Sequence, residues 1–150
     1  RRRDAAEEAR KQDMADQVKF ELVSPERLLL SAEVEAVVVP GAEGDFTVLP
    51  GHSRLISTIR PGVITVMQGG RAADRIFVEG GFAEVTPQGC TVLAERATPV
   101  AEISREQAGQ AVQDAREDIE DSKDDSARLV AAKALEVAEA RLRAIESPAY

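Results

Sequence analysis

Glu43, Asp45, His52 and Ser53 set acids, an imidazole and a hydroxyl in one short stretch, the side-chain types of nucleophilic acyl transfer. A triad needs the serine delivered to the imidazole by the fold, with an acid behind it. Ser53 is the chain neighbour of His52 and is badly placed for that. His52 is the only histidine and Cys90 the only cysteine, and they lie far apart, which does not make a zinc site. The acidic run Asp114–Asp125 lacks both the alternate spacing and the central glycine of a calcium loop. It reads as a solvated helix end. No Walker A sequence and no glycine-rich dinucleotide loop occurs. The chemistry-bearing residues therefore define no reaction. Their plain reading is structural: Asp45 as a turn residue bonding its own backbone, His52 as an exposed loop residue, Cys90 as a small buried hydrophobe in an apolar strand.

The elements that hold these residues are short and punctuated. Val37-Val38-Val39 is an apolar run, and Pro40-Gly41 reads as the turn that ends it, because proline supplies no ladder donor. Asp45 to Leu49 alternates, placing Phe46 and Val48 on one face of a strand. Pro50-Gly51 reads as a second turn. Two exposed tips, 42–45 and 52–54, are thus presented on a β scaffold. Upstream, Val18, Phe20 and Leu22 alternate with Lys19 and Glu21 in a half-buried strand. Ser24-Pro25-Glu26 is a turn, and Arg27–Val39 reads as two strands bent near Ser31-Ala32. Downstream come Val63–Met67, closed by Gly69-Gly70, then Arg75–Val78, Phe82–Thr86 and Cys90–Glu95. About eight to ten short strands with no helical period between them predict an antiparallel sandwich over residues 14–100.

The character changes at Thr98-Pro99-Val100. Ser104 with Gln107 is a capping box. Ala108, Val112, Ala115 and Ile119 then share one helix face. Residues 121–126 break the pattern and supply caps. Leu135, Ala138, Leu142 and Ile145 share a face of a second helix, which Pro148 stops. A connection this short predicts an antiparallel helical hairpin over residues 101–150. Its seven basic and twelve acidic residues leave it at net −5. Arg1–Asp13 is polar apart from its alanines. Met14 reads as the natural start, with residues 1–13 an extension outside the fold; a native helical arm is the alternative.

Composition narrows the partners. The chain of 150 residues carries a net charge of −8, which argues against nucleic acid and anionic lipid as ligands. A single cysteine allows no internal disulfide and favours a reducing compartment. No apolar run approaches the ~18 residues of a membrane span, so direct membrane insertion is not expected. Aromatic residues are 3% of the chain, few for a glycan site.

The residues VPGAEGDFTVLPGHSRLI resemble the signature of the epsilon subunit of bacterial and chloroplast F-type ATP synthases, which corresponds to the mitochondrial delta subunit. The pattern is a Gly-x-x-Gly-acidic turn, a short strand, then Pro-Gly-His and an apolar residue. Ile59-Arg60-Pro61-Gly62, the stretch from Phe77 to Val85, and the stretch from Thr91 to Ala97 match in the same order. The resemblance runs from about Val18 to about Glu146.

That resemblance implies a non-catalytic central-stalk subunit that joins the gamma subunit to the ring of membrane c subunits and passes rotation between them. It places Glu43 and Asp45 against the c-ring, and His52 and Arg54 against the gamma subunit. It implies a peripheral position on the cytoplasmic face of the bacterial inner membrane. In the family the hairpin can extend into the catalytic head of alpha and beta subunits and block ATP hydrolysis through basic residues. Arg128, Lys133, Arg141 and Arg143 are available for a beta-subunit contact, but net −5 opposes it, so weak inhibition is expected. Some members bind ATP through an Ile/Leu-Asp-x-x-Arg-Ala motif. Here the stretch from Ile103 to Ala108 has Ser104 and Gln107 at the aspartate and arginine positions, and Val137 replaces a further arginine while Arg141 matches another. Lost charged donors cost ~1.5–3 kcal/mol each, so weak or absent ATP binding is expected, and no cofactor. Without the resemblance, the residues support a stand-alone β-sandwich interaction module.

Overall fold

The computed structural model describes residues 2–7 and 16–146. Residues 2–7 are helical and exposed; the remainder of the predicted extension, Met14 and Pro148 lie outside the described residues. Ten strands come first: β1 (Val18–Val23), β2 (Leu28–Val34), β3 (Ala36–Gly41), β4 (Gly44–Val48), β5 (Leu55–Ile59), β6 (Gly62–Gln68), β7 (Arg71–Val78), β8 (Gly81–Thr86), β9 (Gly89–Ala94) and β10 (Ala97–Pro99). A short 3-10 turn, Val100–Glu102, leads to two helices, α1 (Arg105–Asp121) and α2 (Asp125–Glu146).

The strands form one curled sheet in the order β10-β7-β6-β3-β5-β8-β9-β1-β2, with β4 on the free edge of β3. It works as a sandwich of two layers joined at a corner. Ala36, Val37 and Val38 of β3 pair with β6, whereas Gly41 pairs with Ile59 of β5. β5 and β6 therefore share one edge of β3 and part at Arg60-Pro61. All pairings are antiparallel except β1 with β9, which run parallel from Lys19–Gly89 to Val23–Leu93. The core between the layers follows from alternation. Val18, Phe20 and Leu22 of β1 meet Val37, Val39, Val48, Ile64, Val66, Val85 and Val92, all fully buried.

The sequence reading names no strand over 55–59 or 97–99 and begins the β7 strand at Arg75, whereas β5 and β10 are strands and β7 begins at Arg71. Two further boundaries differ. The bend in the Arg27–Val39 segment falls at Glu35, not at Ser31-Ala32. Glu35 accepts hydrogen bonds from the backbone N–H groups of Gly69 and Gly70, at 2.9 and 3.2 Å. Both glycines have positive φ, 64° and 73°, as a two-residue hairpin turn requires. That distant turn places the bend, so no local signal marks it. Pro40 and Gly41 do not end β3: Pro40 pairs with Asp45 and Gly41 with Gly44, and the turn is Ala42-Glu43. At Pro40 an N–H would point away from β4, so its absence breaks no bond of that ladder, and the Pro40 carbonyl accepts from Arg60 N–H at 3.0 Å.

The helices form the expected hairpin. Ser104 Oγ accepts from Gln107 N–H at 3.3 Å, and Asp124 Oδ1 accepts from Ala127 N–H at 2.7 Å, capping each start. Ala108, Val112 and Ala115 of α1 are buried and Ile119 half-buried. On α2 the predicted stripe is only partly right. Ala138 is buried, but Leu135, Leu142 and Ile145 are half-buried, and the other buried positions are Ala131, Ala140 and Ala144. The physical reason is that α2 has two partners. One side meets α1; the other, with Val137, Ala140, Ala144 and Ile145, packs on Val63, Phe77, Val100 and Ile103. Small residues let the helix lie close to the sheet on both counts.

Candidate functional site

The outer surfaces of the two layers differ. On the layer containing β6 and β7, Val63 pairs with Phe77 and both lie under α2; Phe77 is fully buried there. On the other layer a similar apolar row is left open. Phe82 of β8 pairs with Leu93 of β9, Leu93 with Val23 of β1, and Val23 with Leu28 of β2. Directly paired residues point to the same face. Phe82 and Leu28 are each 57% exposed, Leu93 45%, and Ile56 on neighbouring β5 76%. Apolar side chains gathered on one exposed face mark interaction sites, whereas single ones do not. Sequence reasoning placed Phe82 on a strand without marking it as surface. A signal was present: Phe82 and Glu84 share one side of β8, Ala83 and Val85 the other, so the phenylalanine sits on the polar face.

The polar tips sit at opposite ends of β4, separated by roughly 13 Å of strand. At the β3–β4 turn Glu43 is exposed. The Asp45 carboxylate pairs with the Arg60 guanidinium, which also donates to the Gly41 carbonyl. Arg60 thus ties the turn to the corner where the two layers part. At the other end, Gly51 takes φ 77° and His52 N–H donates to the Leu49 carbonyl at 3.2 Å. His52 Nδ1 lies 2.6 Å from the Ser53 carbonyl oxygen, so that nitrogen donates to the loop backbone. The Ser53 hydroxyl is not its partner, and Arg54 is exposed. No group of three potential metal ligands occurs among the described residues. No helix among them is long and apolar enough to cross a membrane. Cys90 is buried, and desolvation pushes its thiol up to about 12.

The four basic residues of the hairpin have unlike surroundings. Arg128 pairs with Asp125 at 3.6 Å and Lys133 with Glu136 at 3.4 Å, both on the helix surface. Arg143 is exposed. Arg141 is turned to the sheet: Nη2 donates to Glu79 Oε1 at 2.9 Å, and the guanidinium lies 5.0 Å from the centre of the Phe77 ring. Arg75 of β7 reaches the other way and donates to the Ala144 carbonyl at 3.3 Å. Two arginines therefore cross the interface between the sheet and α2. At the hairpin start, Ser104 is committed to its cap and Arg105 pairs with Glu146 at 3.7 Å.

Residues 17–100 match the family model described as the beta-sandwich domain of the ATP synthase delta/epsilon chain. The chain is 51% identical over 115 residues to the ATP synthase epsilon chain of Mesorhizobium japonicum, covering 77% of this chain and 85% of that one. It is 50% identical over 131 residues to the epsilon chain of Rhodospirillum rubrum, covering 87% and 98%. Among solved structures it resembles a chain of the Euglena gracilis mitochondrial ATP synthase (OSCP/F1/c-ring), with TM-score 0.78 and 28% identity over 87% of this chain and 82% of that one. A chain of the Tetrahymena thermophila central stalk and c-ring shares the fold, with TM-score 0.62 at 12% identity over 85% and 96%.

Proposed function

The chain belongs to the ATP synthase delta/epsilon family, and on that premise we propose that its open apolar row is the surface that grips the gamma subunit. As a family member it is a non-catalytic subunit of the ATP synthase central stalk, peripheral to the membrane through the complex it joins. One observation carries the proposal: of two similar outer rows, α2 covers Val63–Phe77 and none of the described residues covers Phe82–Leu93–Val23–Leu28. Full burial of a Leu, Ile or Phe is worth ~1.5–3 kcal/mol, so four such residues can anchor a lasting interface. His52 and Arg54 flank that interface, and Glu43 and Asp45 meet the polar loops of the c-ring from the β3–β4 turn. The complex sits on the cytoplasmic face of a bacterial inner membrane.

Torque passes well through such a body. The two layers share β3, and Arg60 braces the corner, so the turn that touches the ring cannot swing independently of the layer that holds the shaft. The hairpin has a lesser, regulatory part. It leaves the sheet to meet the alpha and beta subunits with Arg128, Lys133, Arg141 and Arg143, and its net −5 keeps the inhibition of ATP hydrolysis weak. ATP binding at the hairpin start is weak or absent, since Ser104 and Gln107 offer no cationic donor to a phosphate. The test is co-purification with a tagged gamma subunit. Phe82→Asp with Leu93→Asp should abolish recovery of a folded chain; normal recovery would defeat the proposal.

A further inference from the structure

We propose that the cleft between the layer corner and the end of α2 is a binding site for a phosphate group. The cleft has a volume of about 340 Å³. Arg60 and Arg75 line it from the sheet, Arg143 lines it from α2, and Asp45 is the one acid on its wall among the described residues. Asp45 is matched by Arg60. Neither Arg75 nor Arg143 has a carboxylate partner among the described residues. Arg75 commits Nη2 to the Ala144 carbonyl, while its Nε is buried with no hydrogen-bond partner. Guanidinium groups do not deprotonate in proteins, so among the described residues three of them against one carboxylate give the cleft a net +2 in a chain that is −8 overall. Gathering like charges in a partly enclosed cleft is costly unless an anion completes it. A dianionic phosphate matches the surplus, and its oxygens suit the forked donors of arginine better than a single carboxylate does. This site is separate from the Ile103–Ala108 stretch and uses none of its residues.

The donors come from two bodies, Arg60 and Arg75 from the sandwich and Arg143 from the hairpin. The bound anion therefore exists only with the hairpin down, and occupancy favours that state by mass action. This consequence rests on the hairpin reading above; the binding does not.

Thermal melts of the full chain test it, in chloride, inorganic phosphate and ATP at matched ionic strength. An anion at ten times its dissociation constant should raise Tm by about 3–6 °C. Arg143→Gln should leave the melt in chloride unchanged or slightly raised, since Arg143 is exposed and an unbalanced charge is removed, and should abolish the shift. A shift with inorganic phosphate assigns the site to the free anion, and a shift with ATP alone assigns it to a nucleotide phosphate. Both support the site when Arg143→Gln removes them. No shift in either arm, or a shift that survives Arg143→Gln, overturns it. Hydrogen exchange of residues 125–146 then judges the clamp alone: slower exchange with phosphate supports it, and unchanged exchange removes it while leaving the site standing.

Discussion

Arg141 on α2 donates to Glu79 at the end of β7 across 2.9 Å, with Phe77 beneath the guanidinium. It is one of two polar fastenings of the helical hairpin to the sandwich, the other being Arg75 on the Ala144 carbonyl. Both side chains are about a quarter exposed, so water weakens the pair without dissolving it. Glu79→Ala should cost the docked state about 1–2 kcal/mol. The readout is amide exchange: residues 125–146 should exchange roughly 5- to 30-fold faster, while β1, β8 and β9 keep their protection. Unchanged exchange in α2 would mean the fastening does nothing.

The open row predicts a separation of stability from assembly. Phe82 and Leu93 are exposed, so Phe82→Asp alone should move the free chain by no more than about 0.5 kcal/mol. Its affinity for the gamma subunit should fall at least tenfold, since one buried anchor is worth more than ~1.4 kcal/mol. Titration calorimetry against the gamma subunit gives both the affinity and, by its heat-capacity change, the apolar area.

Gly81 tests the register between β8 and β9. Its φ is 143°, and a Cβ there would stand 1.9 Å from the Leu93 carbonyl oxygen, a backbone atom. Gly81→Ala should therefore cost about 4 kcal/mol or more in urea unfolding, through a clash and a strained φ together. A cost under about 1 kcal/mol would show that these strands do not pair as described.

Cys90 predicts an alkaline dependence. Burial raises its folded-state pKa from 9.0 to about 12. Between those values the unfolded chain loses a proton that the folded chain keeps, so stability is whole below pH 9 and falls as pH rises toward 12. The slope is about 1.4 kcal/mol per pH unit from this group. Cys90→Ala should remove that slope, and thiol reagents should leave folded Cys90 unmodified at neutral pH.

Removing residues 101–150 tests regulation. Complexes carrying the shortened chain should hydrolyse ATP at nearly the rate of complexes with the full chain. A many-fold rise would show a strongly inhibitory hairpin. The shortened chain also uncovers Phe77 and Val63, so it should bind a hydrophobic dye more strongly than the full chain.

Where an element's signal is local, the sequence shows it. Val18, Phe20 and Leu22 alternate and β1 follows; Ser104 and Gln107 form a cap and α1 begins there. Where the cause lies elsewhere in the chain, it does not. The bend at Glu35 is set by a turn more than thirty residues away. The stretch at Pro40-Gly41 has every local mark of a turn, yet Arg60 supplies the donor that keeps it in a strand. Asp45 looked like a turn residue bonding its own backbone, and its carboxylate pairs instead with Arg60.

The amino-acid order by itself determined eight of the ten strands, the two helices, the break between them and the family, because period-2 and period-3.6 patterns, caps and motifs act between near neighbours. The tertiary structure alone decided which apolar rows stay open and which arginines meet. Phe77 and Phe82 are both strand phenylalanines, and only the side on which α2 lands makes one core and the other surface. Arg60, Arg75 and Arg143 reach one cleft because β5 and β6 part at the corner of β3 and α2 ends there. Such meetings depend on how layers fold over one another, and no spacing along the chain encodes them.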